Sequence, residues 1–142
     1  MSRIRIPDSE YQDRIKRAAK LAAEKELDVF LVNSNEADYA NARYFSGFWP
    51  LFERAGVAIT PDGKASLLVG PECIIFASDV SKIDKIYPLL AYRESADPSY
   101  PEFKPNTFRD VFNDMGVSGS NIRIGIGSFL DTNAVMMESL RE

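Results

Sequence analysis

Apolar residues recur along this chain with two periods, one helical and one belonging to buried strands. After Ile6-Pro7, with Asp8 or Ser9 read as N-cap, Tyr11, Ile15, Ala18 and Ala22 follow at helical spacing and predict an amphipathic helix to about Glu26. Four alanines in that helix suit close packing on a sheet. Residues 28–32 (DVFLV) form an apolar run without polar alternation, as in a central strand buried on both faces. Asn33-Ser34-Asn35 reads as a break that caps a second helix, from Glu36 to about Tyr44. Gly47 and Pro50 then punctuate an aromatic loop, Phe45-Ser46-Gly47-Phe48-Trp49-Pro50-Leu51-Phe52.

Residues 55–59 and 65–69 read as the two strands of a hairpin, because Thr60-Pro61-Asp62-Gly63 between them supplies turn geometry. Pro71 suits the first position of a helix to about Val80. Residues 85–89 are a weaker strand, which Pro88 places at an edge or an end. Residues 91–106, with Pro98, Pro101 and Pro105, are the longest loop and the expected mobile segment. Thr107 caps a helix through Met115 that Gly116 ends, residues 123–126 form another buried strand, and Asp131-Thr132-Asn133 opens a last helix expected to run to Glu142. The order α-β-α-β-β-α-β-α-β-α predicts an α/β fold: three layers, α/β/α, around a mixed sheet containing one β-hairpin.

A chain of 142 residues fits one domain and needs no disulfide or metal to fold. No apolar run approaches the roughly 20 residues of a membrane span, and the N-terminus has no secretory apolar stretch. With Cys73 as the single cysteine, a reducing, cytoplasmic setting is expected. Net charge is −4, and the densest basic segment (Arg14, Lys16, Arg17, Lys20) lies beside Asp13 and Glu24, as on a solvated helix face. Neither a nucleic-acid nor a membrane partner is expected. The sequence contains no histidine, which removes Ser-His and Cys-His nucleophile pairs and every histidine-containing metal site. No catalytic residue and no metal ligand is assigned, and no cofactor is expected in this chain.

Three segments resemble the N-terminal domain of creatinases, prolidases and aminopeptidases P, the Xaa-Pro peptidases of the M24 type. They are the basic helix followed by Leu27-Asp28-Val29-Phe30-Leu31-Val32, the string Asn41-Ala42-Arg43-Tyr44-Phe45-Ser46-Gly47-Phe48, and the hairpin with Thr60-Pro61-Asp62-Gly63 at its tip. Ile122-Arg123-Ile124-Gly125-Ile126 is a weaker match. The resemblance implies a domain over residues 1–132 with a ribonuclease H-like motif, and the start of a linker helix over 133–142 that leads to an absent catalytic domain. That domain would bring the histidine and, in peptidase-like members, the ligands for a divalent metal (Mn, Co or Zn). The resemblance also implies a homodimer in which this domain helps to cover the partner subunit's active site. Phe52 and Arg54 match in place an aromatic and an arginine that reach the neighbouring subunit's substrate. Creatinase-like and peptidase-like substrates are not separated by residues 1–142.

Blander roles stand beside these. Phe45 and Phe48 suit core packing, whereas Trp49 and Phe52 suit an exposed interface. Arg54 is by default a strand-end surface arginine. Tyr44 is expected to bury its ring, Arg43 to favour a helix C-terminus, and Cys73 to be a small buried hydrophobe whose place near a helix start could lower its pKa. Two other functions compete: a stand-alone α/β binding or scaffold module, and a carboxylate-dependent nuclease in which Asp28 and Asp62 would have to converge on Mg²⁺.

Overall fold

The computed structural model describes residues 5–94, 106–127 and 134–141. The expected mobility of the 91–106 loop and the start of the last helix at Asp131 therefore lie largely outside the described residues. Among the described residues, five helices and five strands run in the order α1 (Asp8–Glu24), β1 (Val29–Ser34), α2 (Ala40–Ser46), β2 (Ala55–Ile59), β3 (Ala65–Val69), α3 (Ile74–Val80), β4 (Ile86–Pro88), α4 (Phe108–Asp114), β5 (Ile124–Ile126) and α5 (Ala134–Ser139). Short 3-10 turns at Pro71–Cys73 and Leu90–Tyr92 precede α3 and follow β4.

The strands form one mixed sheet in the order β4-β3-β2-β1-β5. β2 is antiparallel to both β1 and β3, while β5 runs parallel to β1 and β4 parallel to β3. The period of two along each strand sorts side chains between two cores. Val32, Val57, Ile59, Leu67 and Val69 face one layer, with Ile15, Ala18 and Ala19 of α1, Ala42 and Phe45 of α2, and Ala77 of α3. Val29, Leu31, Ala58 and Leu68 face the other, with Tyr92 and with Phe108, Val111 and Phe112 of α4. The three-layer α/β/α arrangement follows. No helix among the described residues is long and apolar enough to cross a membrane.

The local chemistry explains most boundaries. Gly63 takes φ +88°, the left-handed geometry that the hairpin turn needs. Thr107 and Asp110 form a reciprocal capping box at α4, and Pro88 ends an edge strand. Three element boundaries need correcting, and β5, expected to be buried, is a half-buried edge strand. The N-cap of α1 is Pro7, so Asp8 and Ser9 already lie in the helix. β1 runs on through Asn33 and Ser34 rather than breaking there, and α2 starts at Ala40. α5 ends at Ser139, short of Glu142.

Candidate functional site

The carboxyl ends of β1, β3, β4 and β5 lie at one end of the sheet, where β2 begins. Open α/β sheets generally carry ligand sites at that end of their parallel strands. Polar groups are buried here to an unusual degree. Asn33, Ser34, Ser46 and Glu53 are each at most 1% exposed. The Tyr92 hydroxyl donates to Oδ1 of Asn33, and a Cβ on Gly56 would strike that hydroxyl and the Val32 carbonyl oxygen. Ser34 Oγ accepts from the Ala42 amide at 2.9 Å and so ties β1 to α2. These partners keep two polar residues inside a buried strand.

The Asn41–Phe48 string proves to be structural chemistry. The Asn41 side-chain amide donates to the carbonyls of Asn33 (3.2 Å) and Gly127 (3.4 Å), linking α2 to the ends of β1 and β5. Ser46 Oγ donates to Ala42 O at 2.6 Å and accepts from the Phe48 amide at 3.1 Å. Gly47 closes α2 at φ +74°. Phe45 and Phe48 are buried, as core packing requires. The Tyr44 ring, expected inside, is instead 46% exposed and lies under the Arg14 guanidinium, 4.3 Å from its centroid. Arg43 stacks on Trp49 at 5.2 Å rather than serving the helix end alone.

The loop after Gly47 is pinned at both ends. At its start, buried Phe48 and half-buried Trp49 pack on Phe76 of α3, with ring centroids 5.6 and 5.2 Å away. At its end, Glu53 Oε2 accepts from the amides of Glu72 (3.0 Å) and Cys73 (3.1 Å), at the turn that opens α3. Between the pins, Leu51 and Phe52 stand out at 54% and 40% exposure. Arg54, half-buried, then enters β2, its amide donating to Tyr92 O at 3.0 Å. Asn35, Glu36, Phe52, Arg54, Arg93 and Glu94 line a shallow depression of about 350 Å³. Phe52 and Arg54 therefore share one rim.

Glu53 had no reading from the sequence, and it is the most unusual group here. Burial pushes its carboxyl above the usual glutamate range, against the lowering effect of the Cys73 and Glu72 amides. The Cys73 thiol is also pushed up by burial, with the Glu53 charge adding to the effect; the helix start does not lower it. Asp28 and Asp62 both lie at the opposite end of the sheet, but each carboxylate is already engaged. Asp28 accepts from the Arg123 amide at 2.7 Å; Asp62 bonds the Thr60 hydroxyl and pairs with Lys64 at 3.0 Å. Among the described residues no three His, Cys, Asp or Glu side chains gather as a metal site would need. A separate apolar groove of about 590 Å³ lies between α1 and β5, walled by Leu21, Leu27, Phe30 and Ile126.

The profile of the creatinase/prolidase N-terminal domain matches residues 14–135. The chain belongs to this family. Solved structures give the same fold. A prolidase from Pyrococcus horikoshii OT3 superposes with a TM-score of 0.60 at 18% identity, covering 91% of this chain and 29% of its own. A prolidase from Pyrococcus furiosus gives 0.58 at 20% identity, covering 91% and 32%. An Xaa-Pro aminopeptidase from Streptococcus pyogenes gives 0.55 at 17% identity, covering 96% and 85%. The chain thus spans about a third of the length of the prolidases it matches. No curated protein matches it significantly in sequence. What is present is a creatinase/prolidase N-terminal domain.

Proposed function

We propose that this creatinase/prolidase N-terminal domain is a non-catalytic accessory domain of a creatinase- or Xaa-Pro peptidase-like hydrolase. Two copies pair, and each lays its 51–54 tip over the active site of its neighbour. The observation that carries this is the loop pinned at Phe48 and at Glu53, which leaves Leu51 and Phe52 outside and sets Arg54 on the same rim. An arginine fork suits a substrate carboxylate, and an aromatic wall excludes water. The remaining surface of Trp49 belongs to the same candidate interface. The reactive groups, and any divalent metal, belong to a catalytic domain further along the polypeptide; the greater length of the matched prolidases supports that placement.

Residues 1–142 alone are expected to turn over neither Xaa-Pro dipeptides nor creatine, with or without Mn²⁺; measurable turnover by the pure chain overturns the proposal. In the full-length polypeptide, Arg54→Ala raises KM roughly tenfold, the scale of one lost charge-assisted hydrogen bond. Unchanged kinetics would remove Arg54 from the site. Sedimentation should show a dimer. The groove between α1 and β5 favours a second reading, a stand-alone binding module. Aspartate, histidine and glutamate motifs in the reading frame beyond Glu142 would exclude the module, and a stop codon there would favour it.

A further inference from the structure

We propose that Glu53 is the positioning residue of the 51–54 tip: its carboxyl, locked to the turn at Pro71–Cys73, holds Phe52 and Arg54 in the arrangement that a neighbouring subunit's substrate would meet. The functional half of this rests on the reading above; the latch itself does not.

Glutamate is seldom fully buried, because its charge loses solvation that few protein sites replace. Glu53 is nevertheless 1% exposed. The backbone is shaped around it: a Cβ on Gly70 would collide with its carboxyl carbon and both oxygens. Oε2 takes the Glu72 amide, a donor that a helical start leaves without a partner, and shares the Cys73 amide with the Gly70 carbonyl. Oε1 has no hydrogen-bond partner among the described residues. A local serine or aspartate could cap that turn without burying a distant carboxylate. A cap sent from 19 and 20 residues earlier does something more, because it fixes the segment that carries it. Phe52 and Arg54 are the immediate neighbours of Glu53, so a latch at this residue sets both side chains. Glu72 and Cys73 face the latch from the turn, and Glu36, Arg54, Arg93 and Glu94 surround the depression that Glu53 helps to line.

The test follows the Glu72 and Cys73 amides by NMR in wild type, Glu53→Gln and Glu53→Ala. In wild type both amide shifts should titrate together in acid, with a midpoint above that of an ordinary glutamate. In Glu53→Gln, which keeps the carbonyl acceptor, the fold persists and the titration disappears. In Glu53→Ala, hydrogen exchange at the Glu72 amide should quicken at least roughly tenfold, and less at Cys73, which keeps its bond to the Gly70 carbonyl, while the distant capping box at Thr107 is unaffected. Amides that ignore all three states overturn the latch. In the full-length polypeptide, the KM increases of Glu53→Ala and Arg54→Ala should not add, because the first acts through the second. Additive increases overturn the positioning role even if the latch is real. An Arg54→Ala variant with wild-type KM sinks the functional reading instead, and leaves the amide result standing.

Discussion

The two ends of the sheet treat their carboxylates in opposite ways, although Thr60 and Ser66 are buried near the turn end as well. At the end where β2 and β3 join, Asp28, Asp62 and Lys64 are exposed and engaged by near neighbours or by adjacent strands. At the other end, Asn33 and Glu53 are buried, and one polar atom of each, Nδ2 and Oε1, has no partner among the described residues. Turn chemistry that satisfies itself only shapes the chain. Buried polar groups left partly unsatisfied cost stability, and proteins retain them where they hold something in place. That contrast points to the end carrying Phe52, Glu53 and Arg54, and away from the two aspartates that a nuclease would need.

The sharpest way to break the contrast is to fill the spaces left by glycine. Gly70→Ala and Gly56→Ala push a methyl into the Glu53 carboxyl and the Tyr92 hydroxyl respectively. Each should cost about 1–3 kcal/mol in urea unfolding, the usual scale of overpacking. Gly63→Ala, at the other end, meets nothing within 4 Å and pays only for its φ of +88°, about 1 kcal/mol. Tyr92→Phe strips the hydroxyl from Asn33 and should cost about 1–3 kcal/mol by the same measurement. Asp62→Ala removes only an exposed ion pair and a turn hydrogen bond, and should cost no more than about 1 kcal/mol.

Acid titration of stability separates the two ends by sign. Because burial raises the Glu53 carboxyl, the folded chain binds that proton more tightly than the unfolded chain does. Stability therefore falls as pH rises from the ordinary glutamate value of 4.5 through the higher folded one. Hydrogen bonds from Thr60 and Lys64 hold Asp62 below its ordinary 3.8, so its contribution is present above that value and is lost as pH falls through the folded one. Glu53→Gln should abolish the first slope and spare the second. The smallest effect concerns Cys73, at 2% exposure: thiol reagents should label it only on unfolding.

The hairpin, the alternation of helices with strands and the Thr107 cap were legible because their chemistry is local: a Pro-Asp-Gly turn, continuous apolar runs, a hydroxyl three residues from its carboxylate. Asn33 and Ser34 were misread as a break because the groups that satisfy them lie elsewhere; the Tyr92 hydroxyl is 59 residues away. Arg54 enters through family resemblance alone, whereas Phe52 is also legible as an exposed loop aromatic. Glu53 was invisible between them, since a glutamate in a loop ordinarily points to water. Only the fold brings Gly70 and the two amides to it, although Gly70-Pro71-Glu72, a helix start without its own side-chain cap, was a readable hint that a cap comes from afar.

Subunit complementation tests the central claim most directly. A mixed dimer is formed from full-length Arg54→Ala subunits and subunits whose catalytic domain is inactivated but whose Arg54 is intact. If the tip serves its neighbour, one active site per mixed dimer regains a wild-type KM that neither parent shows. A mixture whose KM stays at the Arg54→Ala value would show that Arg54 does not act across subunits.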